Sequence, residues 1–127
     1  MQRIKLLDGT LVQNVQEIND YVERHNQDNR HVLNITVLHT SYEEMLEAFS
    51  DPSRLSTLEI QISTDVEGEY VSQGLQNNYT ILNFIKGNVT TGSFTVQLHQ
   101  KSDMEQELLE TQLALAELTN LIVGGNA

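Results

Sequence analysis

The chain has 127 residues, a formal net charge of −11 and no cysteine. This length suits one domain that buries about two-thirds of its unfolded surface. The missing thiol excludes disulfides, thiol nucleophiles and Cys-type zinc centres, and eighteen acids against seven bases speak against nucleic acid or an anionic membrane as partner.

No apolar run reaches the ~20 residues of a bilayer span. The opening residues 1–8 lack the apolar stretch of a signal peptide, so a cytoplasmic location is expected. Eleven Asn, eleven Gln and eleven Thr give a surface solvated by amides and hydroxyls, and self-association of so acidic a chain requires a specific apolar seam.

Asp8-Gly9 separates apolar runs over 3–7 and 10–13, which predicts a hairpin with a type I′ turn. Residues 14–26 read as a helix. Val15, Ile18, Tyr21 and Val22 recur at spacings of three and four, and Asn14 with Glu17 has the spacing of a capping box. Residues 31–39 predict an interior strand with Leu33, Ile35 and Val37 on one face. Ser41-x-x-Glu44 is a capping box opening a helix over 41–50, with Tyr42, Met45, Leu46 and Phe49 as its stripe and Pro52 as its stop.

Residues 57–63 alternate strictly, turning Leu58, Ile60 and Ile62 inward. Extended chain is expected again over 69–72, 79–86 and 93–98, the last with Phe94, Val96 and Leu98 inward, so that the strands from 57 onward form an antiparallel meander. From Asp103 the period changes to about 3.5. Ser102 or Asp103 caps this helix and Gly124-Gly125 ends it. Met104, Leu108, Thr111, Leu115, Leu118 and Ile122 form a 4-3 series, with Leu109, Leu113 and Leu121 off it.

The expected fold is α+β: a mainly antiparallel sheet of about four to five strands, two short helices and a long C-terminal helix. Residues 1–102 form the body and 103–123 the last helix. The first helix, central strand and second helix allow one parallel crossover, with the helices on one sheet face.

Residues that carry chemistry are sparse. No Gly-x-Ser-x-Gly, Gly-x-Gly-x-x-Gly or Walker loop occurs. His39 and His99 both end predicted strands and are the one pair from which an enzymatic or zinc site could be assembled. Asp65, Glu67 and Glu69 superficially resemble an oxygen-ligand calcium loop but fit a solvated turn better. Glu43, Glu44 and Glu47 line the outer face of the second helix. Together these six acids define an acidic surface able to bind a basic partner by mimicking nucleic-acid charge. No catalytic residue, metal or cofactor is assigned.

The last helix allows two readings. It packs on its own sheet against Leu58, Ile60, Ile62, Phe94, Val96 and Leu98, or it associates with copies or a partner through Met104, Leu108, Leu115, Leu118 and Ile122. Three segments also resemble small proteins encoded among the tail and baseplate genes of phages and prophages of Gram-positive bacteria. They are Ile4-x-Leu6-Leu-Asp-Gly-Thr10, Tyr79-Thr-Ile81 leading into Phe94-Thr-Val-Gln-Leu98, and the closing helix from Met104 ending in Gly-Gly. The resemblance implies a non-enzymatic virion or assembly component. It would act through protein–protein contacts, self-associate through the helix, and end in a particle.

Overall fold

A computed structural model describes the backbone of residues 2–25 and 27–125, with side chains over the same range except His25 and 117–125. Seven strands and two helices follow in the order β1 (Gln2–Lys5), β2 (Leu11–His25), β3 (Asp28–Val37), α1 (Tyr42–Phe49), β4 (Thr57–Ser63), β5 (Tyr70–Asn77), β6 (Ile81–Asn88), β7 (Ser93–His99) and α2 (Asp103–Gly125). The strands form one sheet in the order β5-β4-β1-β2-β3-β7-β6. Every neighbouring pair is antiparallel. The expected four or five strands, parallel crossover and meander are therefore corrected: the described residues form seven strands with no parallel pair among them, and the β4–β5 and β6–β7 hairpins occupy opposite edges.

The helix predicted over 14–26 is strand through His25, within the long strand β2, and residue 26 lies outside the described residues; the period of β2 explains the misreading. Ile4 faces Val12 while Gln2 faces Val15, so three residues of β2 match two of β1. Val15 faces Val37 while Ile18 faces Ile35, again three against two. Each β-bulge inserts one residue and returns the strand to the same face a position late. Val12, Val15 and Ile18 thus reach the core at a spacing of three, which imitates a helix. Asn14 is not a cap. It sits at the first bulge with φ of 58°, and its carbonyl accepts the Leu38 amide at 3.0 Å.

The β1–β2 loop is also one residue longer than a type I′ turn. Leu6 N–H donates to Thr10 O at 2.8 Å around Leu7, Asp8 and Gly9. Gly9 alone takes a positive φ, 92°, while the Asp8 carboxylate accepts the Thr10 amide at 3.0 Å. Helix α1 begins as its capping box predicts, with the Glu44 amide donating to Ser41 Oγ at 3.2 Å. Met45 and Phe49 are buried; Tyr42 and Leu46 are largely exposed.

One sheet face holds the core. Ile4, Val15, Ile35, Val37, Leu58 and Val96 meet Met45 and Phe49 of α1, together with Leu55 and Tyr79. Helix α1 packs against β6 and β7. Residues 78–80 alone link β5 on one edge to β6 on the other. Four Cα steps reach at most ~14 Å, so the sheet is rolled until its edges approach at this corner. Tyr79 is buried there, and the Asn78 amide donates to Ser56 O at 2.9 Å.

Candidate interaction helix and its polar anchor

Helix α2 does not cover the core. Every described side chain from Asp103 to Ala116 is exposed. Met104 is 60% exposed, Leu108 59%, Leu113 57% and Leu115 59%. The face lined by Leu58, Phe94, Val96 and Leu98 is filled by α1 and by the sheet's own curvature, so packing of α2 on that face is corrected. Of the expected seam, Met104, Leu108 and Leu115 stand in solvent. Leu118 and Ile122 fall where side chains lie outside the described residues.

What fixes α2 is a polar anchor at its first turn. Ser102 is buried and caps the helix: its Oγ accepts the Glu105 amide at 3.2 Å, while its own amide donates to Glu105 Oε1 at 3.4 Å. This reciprocal pair satisfies donors that a helix start leaves unpaired. Asp28, at the start of β3, accepts the Met104 amide at 3.0 Å. Hydrogen bonds from Ser102 and Met104 hold the Asp28 carboxyl below its usual pKa. Arg30 ion-pairs with Glu105.

Behind Arg30 the anchor continues into the outer face of the sheet. Gln97 and His99 are buried on β7, on the face opposite Val96 and Leu98. Gln97 Nε2 donates to Tyr21 Oη at 3.0 Å, so its Oε1 is the acceptor for Asn83 Nδ2 at 2.6 Å and for His99 Nε2 at 2.9 Å. An amide oxygen only accepts, so His99 carries its proton on Nε2. Its Nδ1 is then the acceptor facing Arg30 Nη1 at 3.5 Å. Burial lowers the His99 pKa, with Arg30 adding to the shift and Glu23 opposing it. Glu23, Asp28, Arg30, His99 and Ser102 line a cleft of about 240 Å³ beside the helix start.

The other sequence candidates are not brought together. His39 lies two residues beyond Val37, whose partner is Phe94, whereas His99 pairs with Val32. The two histidines stand at opposite ends of the β3–β7 ladder, ~20 Å apart. Glu43, Glu44 and Glu47 are exposed on α1, which leads toward the start of β4. Asp65, Glu67 and Glu69 are exposed in the loop leaving its far end. Among the described residues no group of three or more His, Asp or Glu could hold a metal ion, and no helix is long and apolar enough to cross a membrane.

Sequence reading located α2 but missed its anchor. Asp28 and Arg30 fall between the predicted helix over 14–26 and strand over 31–39, and their partners lie up to 76 residues away. Only the expected cap, Ser102 or Asp103, announced any part of it, and Ser102 is the cap. No protein-family model, curated protein or solved structure matches this chain.

Proposed function

We propose that this chain is a non-enzymatic structural or assembly protein that self-associates through α2. The observation that carries this reading is the contrast within that helix. Its first turn is tied down by Ser102, Asp28 and Arg30, yet the side chains of Met104 within that turn and of Leu108, Leu113 and Leu115 beyond it remain exposed. A helix whose described leucines are this exposed gains packing when another chain covers them. The separation of His39 from His99 supports the non-enzymatic side of the reading. The resemblance to phage tail- and baseplate-region proteins supports a role in building a particle, after synthesis in the cytoplasm.

The test is the solution mass of the full chain and of Leu108→Glu. Leu108 is exposed and outside the core, so the variant keeps a folded body with a cooperative thermal transition. The reading expects a wild-type multimer that Leu108→Glu converts to monomer. A wild-type monomer across the accessible concentration range overturns it.

A further inference from the structure

His99 is buried on the polar face of the sheet, and its two ring nitrogens meet different partners. Nε2–H donates to Gln97 Oε1 at 2.9 Å, while Nδ1 faces Arg30 Nη1 at 3.5 Å. The other guanidinium terminus, Nη2, donates to Glu105 of α2. Arg30 therefore straddles β7 and the start of the last helix. A neutral His99 suits this arrangement, because Nδ1 accepts. A protonated His99 does not, because two cationic N–H donors then face each other.

Arg30 has a second carboxylate within reach. Glu23 lies directly opposite it in the β2–β3 ladder and lines the same cleft. Residues opposed in this way have Cβ atoms about 5 Å apart. β3 lies between β2 and β7, so a turn toward Glu23 carries the guanidinium away from His99. The ionisable groups around the ring come from each neighbouring element. Tyr21 and Glu23 stand on β2, Asp28 and Arg30 on β3, and Glu105 on α2, with exposed Lys101 in the link to α2. β6 sets Ile81 opposite His99 and its Lys86 opposite Thr95. The cleft leaves the ring open to proton exchange and gives Arg30 room to move.

We infer that Arg30 is a two-position latch set by the charge on His99. With the ring neutral, Arg30 holds Glu105 and ties α2 to the sheet. With the ring protonated, Arg30 turns to Glu23 and the first turn of α2 loosens. The latch is built within one chain, from a histidine that titrates near physiological pH and an arginine with two acidic partners. Burial moves the His99 pKa below 6.5, with Glu23 opposing the shift and Arg30 adding to it. Release therefore belongs to acid pH and closure to neutral pH.

The experiment is amide exchange by mass spectrometry on the full chain at about pH 7 and about pH 5.5, each rate divided by its intrinsic value; the lower pH stays above the ordinary carboxyl range of about 3.9–4.3. The reporters are residues 104–106, whose amides donate to Asp28 and Ser102. In wild type they are expected to lose about two- to fivefold of their protection at the lower pH, relative to β7, the scale of a partly exposed ion pair. His99→Gln removes the proton site and should give equal protection at both values. Glu23→Gln, at an exposed position outside the helix start, should match wild type at about pH 7 and lose less at about pH 5.5, because the second position is gone. His31→Gln, at an exposed histidine, should behave as wild type. Equal wild-type protection at both values, a loss that persists in His99→Gln or vanishes in His31→Gln, or a loss in Glu23→Gln as large as in wild type overturns the latch. If His99→Gln does not fold, the comparison with Glu23→Gln decides alone.

Discussion

At Asn14 a single residue carries the bend of β2. Its φ of 58° lies in the left-handed region, which Asn tolerates and β-branched residues do not. Asn14→Gly is expected to hold stability within a few tenths of a kcal/mol, whereas Asn14→Val costs about 1–3 kcal/mol, read by denaturant unfolding. Gly87 is constrained differently. A Cβ there would lie 2.2 Å from Ser93 O and 2.6 Å from Phe94 Cα. Gly87→Ala must push the β6–β7 backbones apart and is expected to lower stability by about 1–3 kcal/mol in the same assay.

His99 gives the molecule a pH dependence whose sign follows from its depressed pKa. The native ring stays neutral where the unfolded chain takes up a proton, from about pH 6.5 downward. The unfolded state then binds more protons, so stability is full above that pH and falls as the pH drops toward the folded pKa. Once protonated, Nδ1 can no longer accept from Arg30 and sets a second cation beside it, with Glu23 and Asp28 as the nearby acids. Unfolding free energy is expected to decline between pH 7 and 5, and amide exchange at residues 104–106 to exceed its intrinsic pH trend. His99→Gln should flatten both; an unchanged profile would remove His99 as their source.

Among the elements, β4, β7 and α1 were legible because each keeps one undisturbed period or carries its own start signal. Leu58 and Val96 alternate with polar neighbours, and Ser41-x-x-Glu44 caps α1. Ser41→Ala is expected to cost about 1 kcal/mol of stability. β2 was illegible because two bulges convert a period of two into a spacing of three. Local pattern cannot separate that spacing from a helix; only the partners Ile4, Val37 and Ile35 do so. Helix α2 was legible as a helix, but its exposure was not, since the same leucines would serve equally well against a sheet.

In the whole molecule, strand order is what sequence leaves open. Residues 78–80 look like a turn inside a meander, yet they span from one sheet edge to the other. Rolling of the sheet makes that short link possible, and rolling depends on long-range pairing that no window of sequence contains. The same geometry keeps the buried apolar side chains, among the described residues, between Ile4 and Leu98, leaving the described side chains of α2 outside the core. The chain ending at residue 102 should therefore keep a cooperative thermal transition close to that of the full chain. The most direct measurement is the absolute mass of both chains in solution, with that transition recorded alongside. A full-length multimer beside a folded 1–102 monomer is the predicted result. Equal masses for the two chains would contradict assembly through α2.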